Sequence, residues 1–453
     1  MNREELLFAL RAALTSRDTR TFQTIIRQNH PADVVALVEE AFPGELVNFL
    51  RQVPAEDRAE LFGYLPDATQ DEIVAALNRK ELAELFDHMS HDERADVFNR
   101  LEPEQQASLL PALAQVERED LRRLSAYEED TAGAVMTSEY ATVSPDITAA
   151  EAINWLRRAA PDSETIYQAF VIDGERRLVG TVSLRELILA PAEVRVRDIM
   201  REDVIHARVE DDKEDVAAKI ARYDLIALPV INGSDKLVGI VTYDDAMDVA
   251  EEEATEDFHK GGGSLALGDL SIRDASAWNL YRRRIFWLVV LVFGNLFSGA
   301  GIAYFEELIA AYIALVFFLP LLIDSGGNAG SQSATLMVRS LATGDVRMRD
   351  WGQMLGREFG VALLLGLTMA VAVSGIGIFR GGPDIALVVS LSMVAIVVIG
   401  SLIGMSLPFI LSRFKFDPAT ASAPLVTSIA DASGVVIYLS IALLILGMPD
   451  FAG

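Results

Sequence analysis

The alternation of hydrophobic and polar positions changes character once along this chain, near Ile285. Upstream, short apolar stretches alternate with acidic turns. Downstream, apolar runs cover about 285–304, 309–341, 354–379, 385–411 and 421–447. Each is long enough to cross roughly 30 Å of hydrocarbon as a helix rising about 1.5 Å per residue. Five such runs in succession predict a five-helix transmembrane domain over 281–453.

The connections give the orientation. Arg282, Arg283 and Arg284 precede the first run. Arg339, Arg347, Arg349 and Arg357 surround the second connection, and Arg413 and Lys415 the fourth. The opposite loops carry Glu306, Glu307 and Asp384 against a single Arg380. The positive-inside rule then places the N-terminus in the cytoplasm and the C-terminus outside. The opening MNREELLFALRAALTSRD lacks the apolar core of a signal peptide and predicts an amphipathic helix.

Residues 1–130 predict an all-α domain. Pro31, Pro43, Pro54, Pro66 and Pro103 fall on a period of about 12 residues, with Ser90 in register. Each precedes acids and then an apolar stretch, as in VPAEDRAELF, a helix-start signal. Short helices at a fixed period predict a helical-repeat winding. Residues 136–250 contain a second repeat. AFVIDGERRLVGTVSLREL aligns with LPVINGSDKLVGIVTYDDA, so that Val171 matches Val230 and Gly180 matches Gly239, 59 residues apart. Each unit reads strand, glycine turn, strand, helix. This repeat resembles a tandem pair of cystathionine-β-synthase-type (CBS) modules, at 131–197 and 198–243, which regulate more often than they catalyse. Many such pairs bind adenine nucleotides, so ATP is an open ligand here.

Charge sharpens the division. The net charge is −27. Residues 280–453 hold ten Asp/Glu and ten Lys/Arg, so the whole excess lies upstream. A region that acidic repels nucleic acid and anionic headgroups and attracts cations. The acids are densest in TYDDAMDVAEEEATEDFHKGGGS, within a connecting segment at 244–280. Like charges four residues apart destabilise a helix, and divalent cations relieve that repulsion. There is no cysteine and there are five histidines, which removes disulfides and disfavours zinc or copper sites. No nucleophile–base pair or HExxH site is present, so an enzyme is not expected.

Two features within the apolar runs carry candidate chemistry. Asp431 sits in SAPLVTSIADASGVVIYLSIA, and a carboxylate there costs roughly 2.5–3.5 kcal/mol on insertion. It calls for a partner or a water-filled path. LPLLIDSGGNAGSQSATL places Pro320, Gly326, Gly327 and Gly330 in the second run. These residues predict a broken helix whose freed carbonyls face a cavity; close packing of small residues is the competing role for the glycines. Asp324, Asn328 and Gln332 add side-chain oxygens. Ligands that are oxygen alone favour a hard cation such as Mg²⁺, Ca²⁺ or Mn²⁺. Mg²⁺ sheds its waters reluctantly, and a symmetric dimer pairing two Asp431 residues would hold it hydrated.

The order of parts, with TAGAVMT at 131–137, EEATEDF at 252–258, GGNAGSQSATL and SAPLVTSIADASG, resembles the MgtE family of bacterial Mg²⁺ transporters, related to the animal solute-carrier 41 proteins. Ala329 and Ser331 stand where some members have Thr and Asn. The resemblance implies a homodimer in the inner (cell) membrane, with Mg²⁺ as both substrate and effector and Asp431 holding the ion in the pore. It also implies regulatory Mg²⁺ at Asp92, Asp96, Glu214, Asp224, Asp245, Asp248, Glu253, Glu256 and Asp257, with Glu60 a further candidate. Asp417, in the FDPAT loop, would meet the connecting "plug" helix from the membrane side. Ions bridging these acids would close the pore at high Mg²⁺. The rival expectation is a CBS-regulated exporter of Mg²⁺ or Co²⁺.

Overall fold

The computed structural model describes residues 3–16, 19–41, 46–263 and 276–447. Pro43 and residues 264–275 of the connecting segment lie outside the described residues. The chain divides into two compact units, Met1–Glu253 and Ala254–Gly453.

The first unit opens with short helices: α1 (Arg3–Ser16), α2 (Thr19–Gln28), α3 (Pro31–Ala41), α4 (Leu46–Leu50), α5 (Ala55–Gly63), α6 (Asp67–Ala76), α7 (Arg79–Phe86), α8 (His91–Arg100), α9 (Pro103–Leu109) and α10 (Gln115–Leu124). The proline period sets their starts. Pro31 and Pro103 are first helical residues; Pro54, Pro66 and Ser90 immediately precede α5, α6 and α8. Proline costs nothing there, because its missing N–H would have no helical partner. At α7 the start is sealed by a capping box: Asn78 accepts from the Glu81 N–H at 3.1 Å, and Glu81 accepts from the Asn78 N–H at 2.9 Å. From α3 onward each helix packs on the one two places along, α3 on α5, α5 on α7, α7 on α9, and α4 on α6, α6 on α8, α8 on α10. That alternation makes the expected repeat winding, with Phe49, Phe62 and Phe86 sealed in its core.

The two repeats that follow share one topology. β1 (Tyr140–Val143), α11 (Ala149–Ala159), β2 (Thr165–Ile172), β3 (Leu178–Ser183) and α12 (Leu184–Leu189) form the first. β4 (Ala207–Arg208), α13 (Lys213–Tyr223), β5 (Ala227–Ile231), β6 (Leu237–Thr242) and α14 (Tyr243–Gly261) form the second. In both sheets the first strand runs parallel to the second and the second antiparallel to the third. Val171 pairs with Gly180 and Val230 with Gly239, the matching positions of the sequence repeat. The segments ahead of each sheet are exchanged. Thr137 bonds both ways with Ile240 of the second sheet, and Arg201 both ways with Thr181 of the first. Met136 lies against Gly239 and Met200 against Gly180, where a Cβ would meet the Met200 Sδ at 2.8 Å. The glycines of the repeat make room for that exchange.

The second unit contains the end of α14, then α15 (Ala277–Tyr304), α16 (Glu306–Ala311), α17 (Ala314–Ala342), α18 (Trp351–Arg413) and α19 (Ala423–Leu446). Four of these helices are long and apolar enough to cross a membrane. The third and fourth expected spans are both in α18, which turns at Gly382, where φ is +83° and ψ −178°. Its halves fold back on each other, Gly366 against Val394 and Gly377 against Ala386. Among the described residues, five segments are therefore long and apolar enough to cross a membrane. The first begins at Ala277, earlier than its apolar stretch, and the second begins at Ala314 after the separate short α16.

One expectation fails here. The second span is not broken: α17 is helical from Ala314 to Ala342, with Pro320 inside it. Lipid offers no partner for a released backbone group, so the helix keeps its hydrogen bonds apart from the one that Pro320 cannot donate. The glycines serve close packing instead. A Cβ at Gly330 would stand 2.7 Å from the Gly400 carbonyl oxygen, and Gly400 and Gly404 abut the carbonyls of Gly326 and Gly330. Two helices approach backbone to backbone on this face.

Candidate functional site

The opposite face of α17 turns its polar groups outward. Asp324, Asn328 and Gln332 are four residues apart and exposed on one stripe. The Asn328 amide donates to Asp324 Oδ2 at 3.0 Å. Beside them, Asp431 projects from α19, and its Oδ1 is buried without a hydrogen-bond partner. Gly327 makes room for it: a Cβ there would lie 3.3 Å from Asp431 Oδ1 and 2.9 Å from Thr427 Cγ2. In a continuous helix Gly327 thus contributes space rather than a freed carbonyl. Ser331 ties the two helices together, 3.1 Å from Thr427 Oγ1 and donating to the Ala423 carbonyl at 3.3 Å. Four oxygen-bearing side chains therefore gather at membrane depth, one with an unsatisfied carboxylate oxygen. A protein cannot expose such a stripe to hydrocarbon without cost.

A second group lies in the first unit around the start of α8. Asp92 Oδ1 is buried and unpartnered, and burial pushes that carboxyl above its ordinary range. Glu93 is pushed up to about 7 by burial and then by the Asp92 charge. Asp245 is pushed up to about 8 by burial and then by Asp92, although Thr242 Oγ1 donates to it at 2.5 Å. Asp96 and Glu164 still reach solvent, yet both are raised to about 7, by the surrounding protein first and then by Asp92. Asp248 is raised by burial and by Asp244 and Glu251. Carboxylates from α8, α14 and the edge of the first sheet thus repel one another in a partly desolvated space. Among the described residues, no three acids or histidines stand close enough to form a metal site by themselves. The expected regulatory acids are only partly assembled: Glu60 is exposed on α5, and Glu214 and Asp224 are exposed at the two ends of α13.

Sequence reasoning missed the basic side chains of this region. Lys213 Nζ lies 3.0 Å from Asp130 and 3.4 Å from both Glu252 and Glu253. His91 stands between Asp120, 2.7 Å from Nδ1, and Glu139, 3.3 Å from Nε2. Glu93, Glu139 and Glu164 were also missed. Their place in the group depends on how distant segments pack, and no local spacing announces it.

In the second unit, the last turn of α14 meets the loop before α19. Lys260 Nζ lies 2.6 Å from Asp417 Oδ2 and 2.5 Å from Glu256 Oε1. Burial works against this ammonium, but hydrogen bonds to Asp417 and Glu256 hold it protonated above the ordinary lysine range. Asp417 Oδ1 also accepts the Ala419 N–H at 2.8 Å, which fixes the loop. Asp257 is raised by burial and by the Asp417 charge.

Apolar segments long enough to cross a membrane, acids and amides set among them, and a paired α/β module define a polytopic membrane protein with a water-soluble α/β region. Comparison with known proteins gives the particular family. The profile described as "Divalent cation transporter" matches residues 319–441, the MgtE intracellular N domain matches 29–130, and CBS domains match 132–193 and 196–252. The magnesium transporter MgtE of Thermus thermophilus is 41% identical over 98% of this chain and 99% of its own length. That of Bacillus subtilis is 32% identical over 98% of each. The chain belongs to the MgtE family. The crystal structure of the cytosolic domain of the Mg²⁺ channel MgtE in complex with ATP matches with 37% identity and a TM-score of 0.51, over 54% of this chain and 99% of that one. The soluble part of a magnesium transporter matches with 31% identity and a TM-score of 0.53, over 56% and 100%.

Proposed function

We propose that this chain is a Mg²⁺ transporter that admits Mg²⁺ to the cell past Asp431 and closes when Mg²⁺ binds its acidic cytoplasmic region. The observation that carries the reading is the unpartnered Asp431 oxygen beside the exposed stripe of Asp324, Asn328 and Gln332. These side chains suit a hydrated hard cation, held through its water shell. The named relatives, magnesium transporters over nearly the full length, supply the identity of the ion.

Two features favour a homodimer. The polar stripe needs a wet or protein-covered surface at membrane depth, which a second copy facing it would supply. In the first unit, Trp155, Ile188, Leu189, Tyr243 and Met247 leave large apolar surfaces exposed on α11, α12 and α14. The regulatory ligands are Asp92, Asp96, Asp245, Asp248, Glu253, Glu256, Asp257 and Asp417, with Glu60, Glu214 and Asp224 completing sites only on rearrangement. Cations between these acids relieve the repulsion among like charges, so the closed arrangement gains most from Mg²⁺. ATP, bound by the cytosolic domain of one relative, is a further ligand for the paired repeats. Orientation follows the positive loops, with the N-terminus inside.

The test is flux in proteoliposomes with Mg²⁺ on the two faces varied independently. Inward Mg²⁺ flux that declines as Mg²⁺ rises on the cytoplasmic face supports the reading. Obligatory outward flux identifies an exporter instead, and wild-type flux that ignores cytoplasmic Mg²⁺ removes the gate.

A further inference from the structure

The last turn of α14 already holds a cation, and that cation is covalently attached. Lys260 Nζ sits between Glu256 at 2.5 Å and Asp417 at 2.6 Å, and these are two of the carboxylates assigned above to regulatory Mg²⁺. Glu256 lies one turn back on the same helix; Asp417 belongs to the loop that leads into α19. All three side chains are partly buried, with 28%, 37% and 37% of their surface exposed. The contact therefore joins the helix to the membrane domain through a single ammonium. A divalent ion bridging the same two carboxylates would have to occupy the position of that ammonium. The two occupants exclude each other.

We propose that Lys260 is a built-in stand-in for the divalent cation, holding the end of α14 against the Asp417 loop when no Mg²⁺ is bound. The proposal rests on the gating reading given above. It adds a third state: closed and metal-free, bridged by lysine. At low cytoplasmic Mg²⁺ the lysine bridge keeps a fraction of the molecules closed. As Mg²⁺ rises, the ion displaces the ammonium and takes over the bridge with two charges in place of one. The open fraction at zero Mg²⁺ is then lower than repulsion alone would give, because part of the metal-free population is latched. An independent copy of the device occurs in the first unit, where Lys213 lies between Asp130 and the α14 acids Glu252 and Glu253 and is only 15% exposed. The acidic helix is thus pre-neutralised by lysine at two points.

Simple thermodynamics fixes what the variant must do. Removing the lysine deletes one closed state and leaves the Mg²⁺-bound closed state in place. Its effect is greatest with no Mg²⁺ and vanishes when Mg²⁺ saturates. A merely structural lysine would shift the equilibrium equally at every concentration. The experiment is patch recording of the full chain in lipid bilayers, with Mg²⁺ fixed on the extracytoplasmic face. Cytoplasmic Mg²⁺ is stepped up from a chelated zero for wild type, Lys260→Met and Lys260→Arg. At zero, Lys260→Met should raise the open-to-closed ratio about threefold, the scale of one partly exposed ion pair. At saturating Mg²⁺ its ratio should converge on that of wild type. Lys260→Arg, which keeps the charge, should stay close to wild type throughout. An unchanged ratio at zero Mg²⁺, or an equal shift at all concentrations, overturns the proposal. If wild type itself ignores cytoplasmic Mg²⁺, the gating reading has failed, which is a distinguishable result.

Discussion

At the scale of the residue, this molecule spends its costly groups in few places. Asp431 keeps a buried carboxylate oxygen unpartnered, and small residues around it give the space. Gly327 is one of them. Its replacement by Ala would push a methyl group to within 2.9 Å of Thr427 and 3.3 Å of Asp431, so Gly327→Ala should lower Mg²⁺ flux severalfold while leaving the folded yield close to wild type. The packing glycines predict the reverse. Gly404 abuts the Gly330 carbonyl, so Gly404→Ala should destabilise the membrane domain by about 1–3 kcal/mol, the usual penalty of overpacking. Thermal unfolding of the full chain in detergent measures it, and a wild-type melting temperature would contradict the packing role. Asp431 was legible in the sequence because a carboxylate in an apolar run is expensive wherever it points. Lys260 was not, since only the folded loop before α19 brings Asp417 to it.

Elements show both the reach and the limit of pattern. The proline period located the starts of α3, α5, α6 and α9, because proline and a first-turn acid are tolerated at a helix start whatever surrounds it. The 59-residue repeat located two sheets of one topology down to the paired Val171–Gly180 and Val230–Gly239. The exchange of their leading segments was not legible, because it depends on which sheet each segment reaches. The break expected in the second span failed for a physical reason: glycine loosens a helix in water but permits close packing in a membrane. At this scale the acids of α8 and α14 predict a pH effect. Glu93 and Asp245 are raised from 4.5 to about 7 and from 3.8 to about 8. The folded state therefore holds protons that the unfolded state has released. Stability falls as pH rises through the window from about 4 to about 8. Melting of the full chain in chelator should drop across that range. Glu93→Gln with Asp245→Asn should flatten the curve, and a flat wild-type curve would contradict the crowding.

At the scale of the whole molecule, the charge division is the organising fact. All of the −27 lies upstream of residue 280, while the membrane segment is balanced. A region so charged is under its own repulsion and answers to cations, which is the physical content of the proposed gate. Removing residues 1–250 should accordingly leave a transporter that conducts but no longer closes at high cytoplasmic Mg²⁺. Retained closure would move the sensor into the membrane domain. The division itself was legible in the sequence. Which acids share one cation was not, because the order of residues does not say which faces meet.

The path through the membrane is the claim on which the rest depends, and Asp431→Asn tests it most directly. The substitution keeps the size and shape of the side chain and removes its charge. Mg²⁺ influx into proteoliposomes, measured for wild type and variant at equal incorporation and equal melting temperature, should fall to the protein-free background in the variant. Influx at the wild-type rate would place the ion elsewhere and contradict the account.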